Sequence, residues 1–386
     1  MNRVALYSHD SQGLGHVRRS LALATGLGAA DPTTQTLLLT GAEEAGALPR
    51  PPGCDIVGVP SLHKSSDGRY AARRLTMPLR SLLDLRGAVM SAALRSFTPD
   101  VVVVDRHPRG FGGELQAALT ALPPTTRVVL GLRDVLDDPE VAAAEWAAHG
   151  ATDALDRWYD EIWVYGDPRV FDCIEALGLP DRWRERVRYT GYLVPPVPIR
   201  EAATAEGPVL CLVGGGSDGR LVAEAFARSA WPEGSGLLVL GPQMSASDRD
   251  AVRAAAGRRP DLEVRDFESD LTPQLSGARA AVSMGGYNTV CELLAHRVPS
   301  LVVPRTAPRR EQVVRADRMA ELGLLDVLHP GAVTPGRLTG WLRTTHRRPA
   351  RDAASMVDLD GLARVPRLVR DLVAAPGIRE VAHASA

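Results

Sequence analysis

Lysine is nearly absent from this 386-residue sequence: Lys64 is the single one, and arginine carries the rest of the positive charge. With abundant Ala, Gly and Pro, that scarcity reflects a GC-rich coding background and excludes nothing about function. The formal net charge of −1 is more informative, because without a long-range field nucleic acid is disfavoured as a partner. Cysteine is scarce too. Cys54, Cys173, Cys211 and Cys291 lack CxxC spacing, and two lie in apolar runs, so neither a zinc site nor a disulfide frame is expected. They read as reduced thiols of a cytoplasmic protein. Long hydrophobic stretches are also missing: none approaches the ~20 apolar residues that span a bilayer, and the opening MNRVALYSH has no signal-peptide core. The expectation is a cytosolic chain whose contact with a membrane, where there is any, is peripheral.

What is present is a chain too long for one ordinary core. Short apolar, β-branched runs recur at Val4–Ser8, Thr36–Thr40, Ile56–Val59, Val101–Asp105, Val128–Leu132 and Ile162–Tyr165. A second series follows at Val209–Val213, Leu237–Leu240, Leu262–Val264, Ala280–Ser283 and Ser300–Val303. Continuous apolar runs separated by helical segments predict buried parallel strands with helical crossovers, so both halves read as α/β sheets. Between the series, Gly191–Pro198 is proline-dense and Arg200–Gly207 polar, as an interdomain connector would be. The expected domains are 1–198 and 207–355, followed by a helix and tail over 356–386. In that tail Leu362, Val365, Leu368, Val369, Leu372 and Val373 keep helical spacing, and residues beyond Ile378 are expected to fray.

Three glycine-bearing segments follow strands. The first strand runs into Ser8–His16, with Gly13, Gly15 and His16 ahead of a helix-compatible stretch. A strand, glycines and a helix start bring unpaired N–H groups up to an anion, although a plain tight turn accounts for such a pair equally well. The second half opens alike: Val209–Val213 leads into Gly214-Gly215-Gly216-Ser217-Asp218-Gly219, favouring phosphate contact over mere flexibility. The third, Ser283–Glu292, passes Gly285 and Gly286 into a helix expected to start at Asn288 or Thr289, both good N-caps, with Glu292 one turn inside. A carboxylate so placed can accept both hydroxyls of a ribose while helix N–H groups meet a diphosphate. Arg305–Gln312 then offers its arginines, Arg305, Arg309 and Arg310, for phosphate or carboxylate, with Glu311 among the candidates, and Gln312 for sugar hydroxyls.

Taken together, GLGH, GGGSDG and SMGGYNTVCELL followed by VPRTAPRREQ resemble the MurG-type glycosyltransferases, family 28. VVVVDRHPRG, LGLRDVLDDP and VYGDPRVFD are similar to a group of predicted bacterial glycosyltransferases. The resemblance implies a GT-B fold: an acceptor domain and a donor domain, each Rossmann-like with a parallel sheet, facing a cleft, with a C-terminal helix crossing back. It implies that Glu292 binds the donor's ribose, Gln312 its sugar, and Ser217, Asn288 and Thr289 its diphosphate, while Phe267-Glu268 passes the base. His16 stands where the family places the histidine of its N-terminal glycine loop, though SQGLGH replaces the family's longer glycine run.

The implied chemistry is metal-independent and inverting: a hexose-type sugar moves from a nucleotide diphosphate, UDP favoured over dTDP, to a small-molecule or lipid-linked acceptor in natural-product or cell-envelope biosynthesis. Apart from that substrate, no cofactor is expected. His16 leads as the base because imidazole titrates near working pH, with a positional role nearly as well supported; Asp105, at a strand's C-terminal end, and Asp134 follow. Arg133 and Arg73 are candidate acceptor contacts. Asp358-Leu359-Asp360 spells a metal-binding DxD but lies beyond the last strand, so no metal site is expected. A nucleotide-sugar 2-epimerase and a non-catalytic nucleotide-sugar-binding protein stay open; an NAD oxidoreductase lacks its full glycine fingerprint.

Overall fold

A computed structural model describes residues 2–9, 14–64, 69–194, 207–231, 234–345 and 352–375. The chain divides into two compact units. The first comprises 1–168, 172–193 and 360–386, and the second 169–171 and 194–359.

In the first unit, β1 (Arg3–Ser8), β2 (Gln35–Thr40) and β3 (Cys54–Gly58) are followed by a small antiparallel hairpin, β4 (Leu62–Lys64) and β5 (Tyr70–Ala72). Then come β6 (Val101–Asp105), β7 (Arg127–Arg133), β8 (Glu161–Tyr165) and β9 (Val187–Tyr189). Apart from the hairpin these form one parallel sheet ordered β3-β2-β1-β6-β7-β8-β9. Val4–Tyr7, Val101–Val104 and Val128–Leu130 are all but inaccessible, as expected of strands covered on both faces. Chain order reverses between β1 and β6, where open α/β sheets leave a crevice beyond the strands' carboxyl ends.

The chain's last described helix, Gly361–Ala374, belongs to this unit and packs on the helix Gly15–Ala30. Leu362, Val365, Val369 and Leu372 form its buried face, while Leu368 is half-buried and Val373 exposed. Gly26 lets the helices close: a Cβ there would stand 2.9 Å from the Leu362 carbonyl oxygen. A buried ion pair stiffens the opposite side. Arg86 donates through Nε and Nη2 to Glu114 at 2.5 and 2.8 Å, Tyr7 Oη–H donates to Glu114 at 2.6 Å, and the same oxygen accepts from the Phe111 N–H at 2.9 Å. Tyr7 thereby anchors the loop that follows β6.

The second unit holds β10 (Val209–Leu212), β11 (Gly236–Val239), β12 (Leu262–Arg265), β13 (Ala280–Ser283), β14 (Ser300–Val302) and β15 (Asp326–Val327). They form a parallel sheet ordered β12-β11-β10-β13-β14-β15, reversing between β10 and β13. Its core is layered on both faces, with Cys211, Phe226, Leu238 and Val282 on one side and Leu210, Leu237, Ala281 and Leu293 on the other. All four cysteines are free thiols. Among the described residues no helix is long and apolar enough to cross a membrane.

Candidate active site

The carboxyl ends of β1 and β6 lie side by side, and each delivers a group of the site. β6 ends on Asp105; β1 leads through His9 into the helix whose second residue is His16. His16 Nδ1 and Asp105 Oδ2 share a short hydrogen bond. Arg19, three residues on and so on the same helix face, donates to both Asp105 oxygens at 2.7 and 2.8 Å, and its Nη2 lies 2.6 Å from His16 Nδ1. The side chains are 15% (His16), 7% (Asp105) and 3% (Arg19) exposed, so the carboxylate works in a largely dry setting. His9 packs edge-on to His16 at 4.0 Å and to His107 at 4.8 Å between ring centroids.

These neighbours fix the charge states. Burial pushes Asp105 up, but Arg19 and His16 outweigh it and hold the carboxyl far below its usual range. Burial lowers His16 to about 4, assisted by Arg19 and Arg133 and opposed by Asp105. Burial and Arg106 take His107 to about 3, and burial with the two other rings holds His9 well down. At neutral pH the cluster is three neutral imidazoles, an aspartate and arginines. His9, His16 and Asp105 each offer a ligand atom within 4.8 Å of the others, a metal-like spacing. Arg19, bonded to both carboxylate oxygens, puts a fixed positive charge where a cation would need them, so the set does not suit a metal ion.

The remaining first-unit positions differ. Arg133 closes β7 beside Asp105's strand, and its charge reaches His16. Asp134 is fully buried: its Oδ1 accepts the Val135 N–H at 2.8 Å and its Oδ2 the Tyr192 hydroxyl at 3.0 Å. Arg73 lies 3.7 Å from Glu44 and 4.0 Å from Glu43, on the hairpin. Gly15 opens the first helix, and a Cβ there would meet nothing within 4 Å. Gly13 lies outside the described residues, as do Asp10–Gln12 and most of the connector.

In the second unit the loops after β10 and β13 flank the reversal point. Gly214 and Gly216 have φ of 63° and 91°; Ser217 and Asp218 are exposed, and a helix begins at Arg220. After β13, Gly285 takes φ 74°, and a Cβ on it would stand 2.6 Å from Val302 Cγ1. That turn lets the helix start at Tyr287 with Gly286 as N-cap, so Asn288 and Thr289 occupy its first turn instead of capping it. Glu292 follows on the same helix, half-buried. Beyond β14, Arg305 reaches the helix Glu311–Glu321: its backbone N–H donates to Gln312 Oε1 at 2.9 Å and its Nη2 to Glu311 Oε1 at 2.6 Å. Arg309 is half-buried just ahead of that helix. Past β12, Phe267 is 42% exposed and Glu268 accepts from Arg265 at 2.6 Å.

Residues 210–358 match the model of the glycosyltransferase family 28 C-terminal domain, across the segment that carries all of these loops. The chain is a glycosyltransferase whose second half matches family 28 and which is similar to MurG. It is 26% identical over 310 residues, 78% of this chain and 80% of the relative, to the UDP-N-acetylglucosamine–N-acetylmuramyl-(pentapeptide) pyrophosphoryl-undecaprenol N-acetylglucosamine transferase of Cronobacter sakazakii. Among solved structures it is similar to Acinetobacter baumannii MurG, with a TM-score of 0.59 and 17% identity, over 96% of this chain and 100% of that one. It is also similar to the glycosyltransferase VinC in complex with dTDP, with a TM-score of 0.57 and 18% identity, over 96% and 98% of the two chains. The fold of this glycosyltransferase is GT-B.

Arg19, His9 and His107 were not singled out from sequence. Arg19 alone carried a readable signal, its i, i+3 spacing from His16; the others come together only through strand order.

Proposed function

We propose that this glycosyltransferase moves a hexose-type sugar from a UDP-sugar, with a dTDP-sugar as second choice, to an acceptor hydroxyl, with inversion and without a metal ion. The acceptor is a small molecule or a lipid-linked one. The donor reading is supported by the family match over 210–358, a stretch in which Glu292 lies on the helix that follows β13 at the reversal point of the second sheet.

In this reading the neutral His16 takes the acceptor proton on Nε2. Asp105 can accept the Nδ1 proton where Arg19 can only donate, which fixes the tautomer with Nε2 unprotonated and favours the imidazolium as it forms. The acceptor oxygen bonds to the anomeric carbon from the face opposite the diphosphate. The bond from that carbon to the β-phosphate oxygen breaks, and its electron pair leaves with the nucleoside diphosphate. Backbone N–H groups of the glycine loops and the helix starts beyond them supply the positive ends that a metal would otherwise provide.

Calorimetric titration of wild-type protein and Glu292→Ala against UDP, dTDP and GDP, with no metal added, tests the donor site. One nucleotide should bind selectively and the variant should lose it. Binding to none of them, or binding indifferent to Glu292, removes the reading.

A further inference from the structure

Of the arginines in the Arg305–Gln312 segment, Arg305 is set apart by its surroundings. Its guanidinium is tethered by Glu311, which is 3% exposed and accepts from Nη2 at 2.6 Å, while its backbone N–H holds the Gln312 side chain at 2.9 Å. On the other side Nη1 lies 3.6 Å from Asp218 Oδ2, at the end of the glycine loop. That is an ion pair at longer than hydrogen-bond length, with Asp218 39% exposed. Nε–H is buried and meets no acceptor among the described residues. One edge of a five-donor group is thus fixed, one is loosely paired, and one donor is unmet.

We infer that Arg305 is a phosphate-binding residue of the donor site, with the Asp218 carboxylate standing at the position of an oxyanion that a phosphate oxygen takes over. This rests on the donor reading above and deepens it. The tight Glu311 contact pre-orients the guanidinium, so a diphosphate needs to displace only the weak Asp218 contact to gain Nη1–H. A guanidinium can hold Glu311 through one nitrogen and offer another to phosphate, which a lysine's single point of charge would not do. Through Gln312 the same residue also fixes the side chain that the family resemblance gives to the sugar.

The test compares UDP with uridine by calorimetry on the full chain. Arg305→Gln should weaken UDP about 10- to 100-fold, the worth of a charge-assisted phosphate contact, and leave uridine within about threefold. Arg305→Lys, which keeps the charge without the fork, should recover part of that loss and secures the result if the Gln variant folds poorly. Asp218→Asn should tighten UDP by about threefold in the wild-type background and not in Arg305→Gln, since the competition it relieves is for that guanidinium. Unchanged UDP binding in both Arg305 variants, or equal losses for UDP and uridine, overturns the inference. Failure of the wild-type protein to bind either compound overturns the donor reading first, and this with it.

Discussion

The two sheets reverse chain order in the same way and put different materials at the reversal. At the ends of β1 and β6 the first unit places side chains: His9, His16, Arg19, Asp105 and His107 crowd together, largely buried, each acting on another's charge. At the ends of β10 and β13 the second places glycine backbone, with φ of 63°, 91° and 74° at Gly214, Gly216 and Gly285. In the proposed reaction the first end holds and moves a proton, which needs titratable groups in fixed mutual positions. The other suits the seating of a diphosphate, which needs bare N–H groups and close approach. The comparison makes a demand: substitutions in the first unit's cluster should act through charge, and those at the second unit's glycines through volume.

The largest effect should follow from removing the carboxylate that holds the charged cluster together. Asp105→Ala removes the carboxylate that Arg19, 3% exposed, holds through both oxygens, and breaking a buried pair in this way costs about 3–5 kcal/mol. Urea unfolding followed through the first unit's tryptophans should show that loss at pH 7. A change below about 1 kcal/mol would mean that water or another acid already satisfies Arg19, and the dry, charge-built site would have to be given up.

A smaller effect of the same origin appears on acidification. His16 and His107 titrate near 4 and 3 in the folded protein, below the ordinary 6.5, so between pH 6.5 and 4 the unfolded chain binds protons that the native one refuses. Stability from these groups is therefore complete above about pH 6.5 and falls as pH drops, before most carboxylates begin to protonate. His107→Asn should remove about 2 kcal/mol of the loss between pH 7 and 4.5, as the difference between the two proteins' pH–stability curves. Parallel curves would show that His107 is free to protonate in the folded state.

Much of the fold was legible because buried parallel strands advertise themselves: the eleven apolar runs all became strands, within two residues at each end. The four missed strands lack that signature. β15 is two residues long, β9 is Val-Arg-Tyr, and the β4–β5 hairpin is polar and outside the main sheet. The site was legible in pieces. His16 and Asp105 appeared as rival bases, 89 residues apart in sequence, and only the adjacency of β1 and β6 makes them partners. Asp134 carried the same strand-end signal as Asp105, yet Tyr192 and the Val135 N–H take up its oxygens. Helix capping misled for a simpler reason: Asn288 and Thr289 are good caps, but the positive φ that Gly285 permits starts the helix earlier.

The smallest effect is the most discriminating for the second unit, because two neighbouring glycines separate folding from binding. Both Gly214 and Gly216 hold positive φ, so alanine at either costs about 1 kcal/mol of backbone strain. At Gly216 the new Cβ would also fall 2.1 Å from the Leu240 carbonyl oxygen, so Gly216→Ala should be the more destabilising of the two. At Gly214 nothing lies within 4 Å of that Cβ, so the fold has no steric reason to exclude it. A diphosphate approaching the loop backbone does have one. Gly214→Ala should therefore unfold only slightly earlier in urea than wild type and yet bind UDP at least about tenfold more weakly, with uridine much less affected. If it binds UDP as wild type does, the open space beside Gly214 is not where the phosphates sit. Volume would then not govern the second unit, and the diphosphate would have to be held mainly by side chains such as Arg305.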